Sequence, residues 1–254
     1  MPAGERPAGR NRRAAARNEG NTMLDIGTAT TPSLQRSEPP ILYVGTPVVL
    51  ISTCNEDGSA NLAPMSSAFW LGWRGVLGLD RSSKTVANML RTKQCVLNLP
   101  SVAQVDAVDR IALTTGSEVL PPHKVARGYR FEKGKFETAG LTPIASETVD
   151  PPRAGECPIQ MEAVVEHSYS MSEDDPSSRG RRILFELRIQ RVFADPSILA
   201  DGDPNRIDPD KWRPLIMSFQ KLYGLADEQA HASRLSLIPE ALYKGADLER
   251  SRSV

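Results

Sequence analysis

Ile159-Gln160-Met161-Glu162-Ala163-Val164-Val165-Glu166 sets apolar side chains at the odd positions and mostly polar ones at the even positions. Ile183-Leu184-Phe185-Glu186-Leu187-Arg188-Ile189-Gln190-Arg191-Val192-Phe193 repeats the pattern. Successive side chains of a strand point to opposite faces, so this alternation predicts one buried face and one wet face, the mark of antiparallel sheet. Between the two runs, Ser172 to Gly180 is polar and predicts a connection. Upstream, Pro47 to Thr53 is a β-branched run, and Asn55-Glu56-Asp57-Gly58-Ser59 follows it. Asp-Gly between apolar runs predicts a hairpin, because glycine accepts the positive φ of the turn. The return strand is expected from about Ala60 to Ser67 on a central strand, with further strands at Gly75–Leu79 and Cys95–Leu99. Helical spacing covers Thr85–Leu90 and roughly Gln104–Thr114. The strands do not alternate regularly with helices, so a mainly β, antiparallel Greek-key barrel with a few flanking helices fits better than a doubly wound sheet. Residues 121–156 show no strong periodicity and predict a long excursion around the barrel.

The 254 residues carry 31 Lys+Arg and 31 Asp+Glu, a formal net charge of zero. A general nucleic-acid binder needs a cationic surplus to displace counterions, which argues against that class. The longest apolar-rich run, Ile41 to Ser52, is too short to span a bilayer as a helix. Three dispersed cysteines, Cys54, Cys95 and Cys157, argue against a disulfide scaffold or a Cys-rich zinc site, and a reducing cytoplasm is expected. Charge concentrates at the start, where residues 1–20 are net +3 and poor in large apolar side chains. Residues 1–35 are therefore expected to form a disordered basic tail. The barrel domain is expected over 36–230 and a helical extension over 231–254, with a frayed, polar end from about Gly245.

The chemistry gathers between Asp57 and Pro100. In Asp80-Arg81-Ser82-Ser83-Lys84-Thr85-Val86-Ala87-Asn88 a strand ends and a helix begins. Ser82 or Ser83 is suited to cap it. First-turn N–H groups and the helix dipole attract an anion. Arg81 and Lys84 add positive charge, and Thr85 adds a donor. This is a candidate phosphate site, although an ordinary capped helix would use the same residues. Asn61-Leu62-Ala63-Pro64-Met65-Ser66-Ser67-Ala68-Phe69 supplies a second element. A proline in a strand removes a ladder hydrogen bond, leaving backbone groups and the Ser66 and Ser67 hydroxyls for a planar polar ring edge, or simply marking a bulge.

Thr53, the Asp57-Gly58 turn, the 61–69 stretch, Arg81–Asn88 and Val96-Leu97-Asn98-Leu99-Pro100 together resemble the flavin reductase-like family. Looser similarities follow at Tyr129–Leu141, Glu156–Glu162, Arg213–Leu215 and Tyr223–Leu225, so the resemblance runs from about Pro47 to Leu225. It implies an FMN-binding split barrel, a homodimer and a flavin near the subunit boundary. By position, Asn61, Ala63, Pro64, Met65, Ser66 and Ser67 would line the isoalloxazine, and Arg81, Ser82, Ser83, Lys84 and Thr85 would hold the phosphate. Many relatives place an acidic residue between the lysine and the threonine; here the two are adjacent.

The implied function is an NAD(P)H-dependent FMN reductase that serves a partner flavin-dependent monooxygenase or uses its own FMN as a relay. Hydride transfer between nicotinamide and flavin is cofactor chemistry, so no catalytic triad is required, and no catalytic residue is assigned. Three alternatives share the site: a tightly bound FMN electron carrier of the flavoredoxin kind, a flavin-dependent oxidase or oxygenase acting on a small organic substrate, and a barrel that has lost its flavin. His123, His167 and His231 lack metal-ligand spacing, and no metal is expected. Phe69, Trp70 and Trp73 are expected to fill the core or a dimer interface.

Overall fold

The computed structural model describes residues 34–254, so the expected basic tail lies almost wholly outside the described residues. Ile41–Val254 forms one compact unit. In chain order it contains β1 (Val44–Pro47), β2 (Val49–Cys54), β3 (Ala60–Met65), β4 (Ala68–Leu71), β5 (Arg74–Asp80), α1 (Lys84–Thr92) and β6 (Gln94–Leu99). These are followed by α2 (Val105–Ile111), α3 (Pro122–Val125), α4 (Lys135–Ala139), β7 (Ile159–Ser170), β8 (Arg182–Ala194), β9 (Ile216–Ser218), β10 (Lys221–Tyr223) and α5 (Ala246–Ser251).

Seven strands form one sheet in the order β3-β2-β6-β7-β8-β5-β4, and every pairing in it is antiparallel. Its two edges, β3 and β4, are consecutive in the chain and joined only by Ser66-Ser67. A sheet whose opposite edges are tied by two residues must curl on itself, leaving a seam where no ladder closes it. The interior is filled by Val49 and Ile51, Leu77 and Leu79, Leu97 and Leu99, and Phe185, Leu187 and Ile189, with Val86 and Met89 of α1 packed among them. Val48, Leu50 and Leu62 face the other way, into a second core with α2 and α4. This double burial explains why Val48–Ile51 reads as an unbroken apolar run rather than an alternation.

Several expectations need correction. The return strand ends at Met65 and resumes at Ala68, and Pro64 stands on an edge strand, not a central one. An edge is where proline is tolerated. The helix expected over 104–114 starts as a 3-10 turn at Val102–Gln104 and stops at Ile111.

Four even positions of the long strands are not wet: Gln160, Glu162, Arg188 and Gln190 are buried, while Glu166 and Glu186 keep partial exposure. The Glu162 carboxylate accepts the N–H groups of Glu147 (2.9 Å) and Thr148 (2.7 Å). Gln160 donates to the Cys157 carbonyl at 3.0 Å and accepts from Arg153 at 3.2 Å. Residues 147–157, not solvent, satisfy Gln160 and Glu162, while Arg188 donates to Glu166 on the neighbouring strand at 2.6 Å. The chain end, expected to be frayed, contains a short helix in the structure. This helix, α5, is held by the fork of Arg74 on the Asp247 carboxylate (2.8 Å to each oxygen), with Ser251 buried. No helix among the described residues is long and apolar enough to cross a membrane.

Candidate functional site

The start of α1 is built by three local hydrogen bonds. Asp80, ending β5, accepts the Ser82 N–H at 2.8 Å and the Ser82 hydroxyl at 2.6 Å. Ser83 is the N-cap, its hydroxyl accepting the Val86 N–H at 3.2 Å. The next N–H groups, those of Lys84 and Thr85, point out of the helix start and need an outside acceptor. The first turn holds no acidic side chain. Two carboxylates stand beside the turn: Asp80, engaged by Ser82, and Glu56, which lies 2.5 Å from the Lys84 ammonium. That contact holds the Glu56 carboxyl below its usual range.

The helix start is tied to the edge strand from beneath. Asn61, at the beginning of β3, donates from Nδ2 to the Thr85 and Thr53 hydroxyls, 3.2 Å each. Asn88 donates to Thr53 at 3.0 Å and to the Asn55 carboxamide oxygen at 2.9 Å. Asn61, Thr53, Thr85 and Asn88 are all buried. A strand advances about 3.3 Å per residue, so Met65 lies roughly 13 Å along β3 from Asn61. Ala63, Pro64, Met65 and Ser66 are half-buried there and Ser67 is exposed. The Ser67 carbonyl accepts the Gly78 N–H at 2.9 Å, which fixes the linker against β5.

The two stretches singled out from sequence are thus neighbours, joined through Asn61 and Thr85 at the seam. Ser82, Ser83, Lys84 and Thr85 gather at the helix start, while Arg81 is exposed beside it. Trp70 and Trp73 pack against the interior, whereas Phe69 is exposed on β4. Burial pushes the Cys95 and Cys157 thiols up to about 12, which leaves them inert.

Four residues near the site were not assigned to it from the sequence. Asn88 is one. Gly116 is another: a Cβ there would sit 2.5 Å from the Asn61 carboxamide oxygen and 3.1 Å from Lys84 Cγ, so only glycine lets this segment pass. Lys124 reaches the Ser82 carbonyl at 3.4 Å, and Lys135 opens α4. Asn88 fell inside a recognised motif as an amide on the buried face of a helix. The other three lie in a region with no periodicity to announce them.

A family model described as the flavin reductase like domain matches residues 42–225. The chain is 39% identical to the uncharacterized protein YdfE of Bacillus subtilis (strain 168) over 205 residues, 81% of this chain and 96% of that protein. Among solved structures it is similar to the flavoredoxin of Desulfovibrio vulgaris (Miyazaki F), with a TM-score of 0.63 and 22% identity over 80% of this chain and all of that one. Component B of the nitrilotriacetate monooxygenase of Bacillus cereus gives a TM-score of 0.62 and 19% identity over 79% of this chain and all of that one. The curled seven-stranded sheet with its open seam is the split barrel, and the chain belongs to the flavin reductase-like family.

Proposed function

We propose that the protein is an NAD(P)H-dependent FMN reductase, transferring hydride from a reduced nicotinamide to FMN and supplying reduced flavin to a partner oxygenase. One observation carries the reading: the Asn61–Thr85 hydrogen bond that sets the open start of α1 against the proline-bearing edge strand. Such a site fits a long ligand with an anionic tail and a flat polar head. Bound FMN would supply the hydride acceptor. The Lys84 and Thr85 N–H groups, the Thr85 hydroxyl and the charges of Arg81 and Lys84 hold its phosphate, with Ser82 and Ser83 shaping the turn. Backbone groups of Ala63–Ser67 meet the ring edge, and the half-buried wall they form excludes water from one side.

Proximity and orientation then account for the rate without an acid or base from the chain. Residues 36–230 form the flavin-binding domain in this reading, with 231–254 as an extension, and the protein acts as a homodimer in the cytoplasm. A relative of the same fold whose name places it in a monooxygenase supports the oxygenase partner.

Visible spectra of the purified protein test the proposal. FMN titration should give a saturable flavin spectrum, and anaerobic NADH or NADPH should bleach it. Steady nicotinamide oxidation should depend on added FMN. No FMN uptake overturns the reading. Bleaching in a single turnover, with negligible steady oxidation, would replace the reductase with an electron carrier.

A further inference from the structure

Lys84 opens α1, and Lys124, Lys133 and Lys135 belong to the segment that passes the helix start at Gly116; the pairing of the four runs against the usual rule. The two with solvent access are matched: Lys84 with Glu56 at 2.5 Å, and Lys133 with Asp57 at 2.7 Å. The two that are buried are not. Lys124 is 8% exposed and Lys135 is 2% exposed, yet neither has a carboxylate within 4.0 Å among the described residues. Buried ammonium groups are ordinarily paired, because an unmatched charge in a poorly solvated place is strongly unfavourable.

Their surroundings repeat the mismatch. The one hydrogen bond Lys124 makes to Ser82 is long, at 3.4 Å. The nearby Asp80 carboxylate is already taken by the Ser82 N–H and hydroxyl, with His123 Nε2 at 3.5 Å. Burial lowers the Lys124 ammonium from its ordinary value, against the pull of Asp80. Burial also pushes Lys135 down to about 8; Lys124 lowers it further, and Glu132 only partly opposes this. Two buried like charges therefore oppose one another on a segment whose Lys124 reaches the helix start at Ser82, where the Lys84 and Thr85 N–H groups also need an outside acceptor. Lys135 forms part of the wall of a cleft of about 450 Å³ with Ser59, Ala60, Lys133, Phe136 and Leu141.

We propose that Lys124 and Lys135, lying outside the 81–85 motif, bind the phosphate monoester together with the start of α1 and make the protein select phosphorylated flavin over riboflavin. The inference rests on the flavin reading above and assigns its specificity. A dianion set between the two ammonium groups and the Lys84 and Thr85 N–H groups cancels the repulsion and satisfies the donors at once. Riboflavin, with a hydroxyl in that place, leaves both charges unmatched. Lys124 and Lys135 thus act on affinity for the tail, not on the chemistry at the ring.

The test titrates the full chain with FMN and with riboflavin, for the wild type, Lys124→Met, Lys135→Met and the double variant. Methionine keeps most of the aliphatic stem and removes the charge. The wild type should prefer FMN by at least a hundredfold. Each single substitution should weaken FMN tenfold or more while riboflavin changes less than twofold, and Lys124→Arg should retain most of the preference. Equal weakening of both flavins, or no weakening of either, overturns the proposal. So does an unchanged FMN-to-riboflavin ratio with a shifted flavin reduction potential, since that puts the charges at the ring.

A second arm uses inorganic phosphate alone, read by thermal melting. Phosphate should raise the wild-type melting temperature and lose that effect in the double variant; the same effect in both rejects the two lysines. Should phosphate act through the lysines while no flavin binds the wild type, the anion site stands and the flavin reading falls.

Discussion

Lys135→Met should stabilise the protein freed of flavin and phosphate at neutral pH, a rare outcome for removal of a buried charge. The side chain is almost wholly buried at the first position of α4 and has no carboxylate partner among the described residues. Its ammonium falls from 10.5 to about 8, through burial first and Lys124 second, with Glu132 pulling the other way. That drop corresponds to roughly 3 kcal/mol against the folded state while the group is charged. Between pH 8 and 10.5 the unfolded chain binds more protons than the folded one, so wild-type stability rises with pH across that window. Below pH 8 both states are protonated and the full penalty is felt. Methionine removes the penalty and adds a repacking cost under about 1.5 kcal/mol, leaving a net gain of about 2 kcal/mol at pH 7. Urea unfolding in phosphate-free buffer at pH 7 and pH 10, for both proteins, reads this directly. The advantage of the variant should shrink by pH 10 and should also shrink at pH 7 when phosphate is added. A variant less stable than wild type by the same amount at both pH values would refute the reasoning, because it would mean that Lys135 holds a favourable contact independent of its charge.

Three further outcomes follow from the site and the chain end. Arg81→Ala combined with Lys84→Ala should weaken FMN binding by about 1.5–3 kcal/mol per charged hydrogen bond lost, and Glu56→Gln, which frees Lys84, should tighten it severalfold; fluorescence titration checks both, and unchanged affinities would remove those residues from the site. Gly116→Ala drives a methyl against the pinned Asn61 carboxamide and should cost about 1–3 kcal/mol in urea unfolding, with FMN affinity falling alongside; wild-type stability would mean that the segment moves aside freely. Asp247→Asn should release α5 from Arg74, costing no more than about 1 kcal/mol globally but exposing the C-terminus to carboxypeptidase, and equal digestion rates would show that the helix is held by other contacts.

The local features of the fold and the candidate site were readable because the residues that cause them sit side by side. Ser83, one of the two serines suited to cap α1, is its N-cap, and the β2–β3 hairpin turns where Asp57-Gly58 indicated, although β3 stops at Met65, two residues short of the expected end. Long-range order was not readable in the same way. Nothing in Ala60–Met65 says that its outer neighbour is missing, since that depends on β4 and β5 turning away to pair with β8. The alternation of β7 and β8 recorded polarity correctly but misjudged its cause. Glu162 and Gln160 are polar because they anchor residues 147–157, not because they meet water. Lys124 and Lys135 were missed for a related reason. Their segment follows no helical or strand period, so only the folded chain reveals that both are buried and that Lys124 reaches Ser82.

The seam itself explains why the candidate site lies where it does. An unpaired strand edge exposes backbone donors and acceptors and invites association with another chain. In this barrel both edge strands are short, β3 at six residues and β4 at four, and Pro64 removes one donor from the edge. A continuous ladder between β3 and β4 would remove the hazard, but it would also consume the polar groups of Ala63–Ser67. It would draw the linker away from β5, where the Gly78 N–H now holds the Ser67 carbonyl. The cluster of Thr53, Asn61, Thr85 and Asn88 then has a plain mechanical purpose. It locks the start of α1 to the open edge, so that a charged tail and a flat head are gripped by two rigid elements at a fixed separation. Asn61→Leu breaks that lock at its centre, and its effect should therefore appear at both ends of a bound flavin nucleotide, whereas the lysine substitutions act on the phosphate alone.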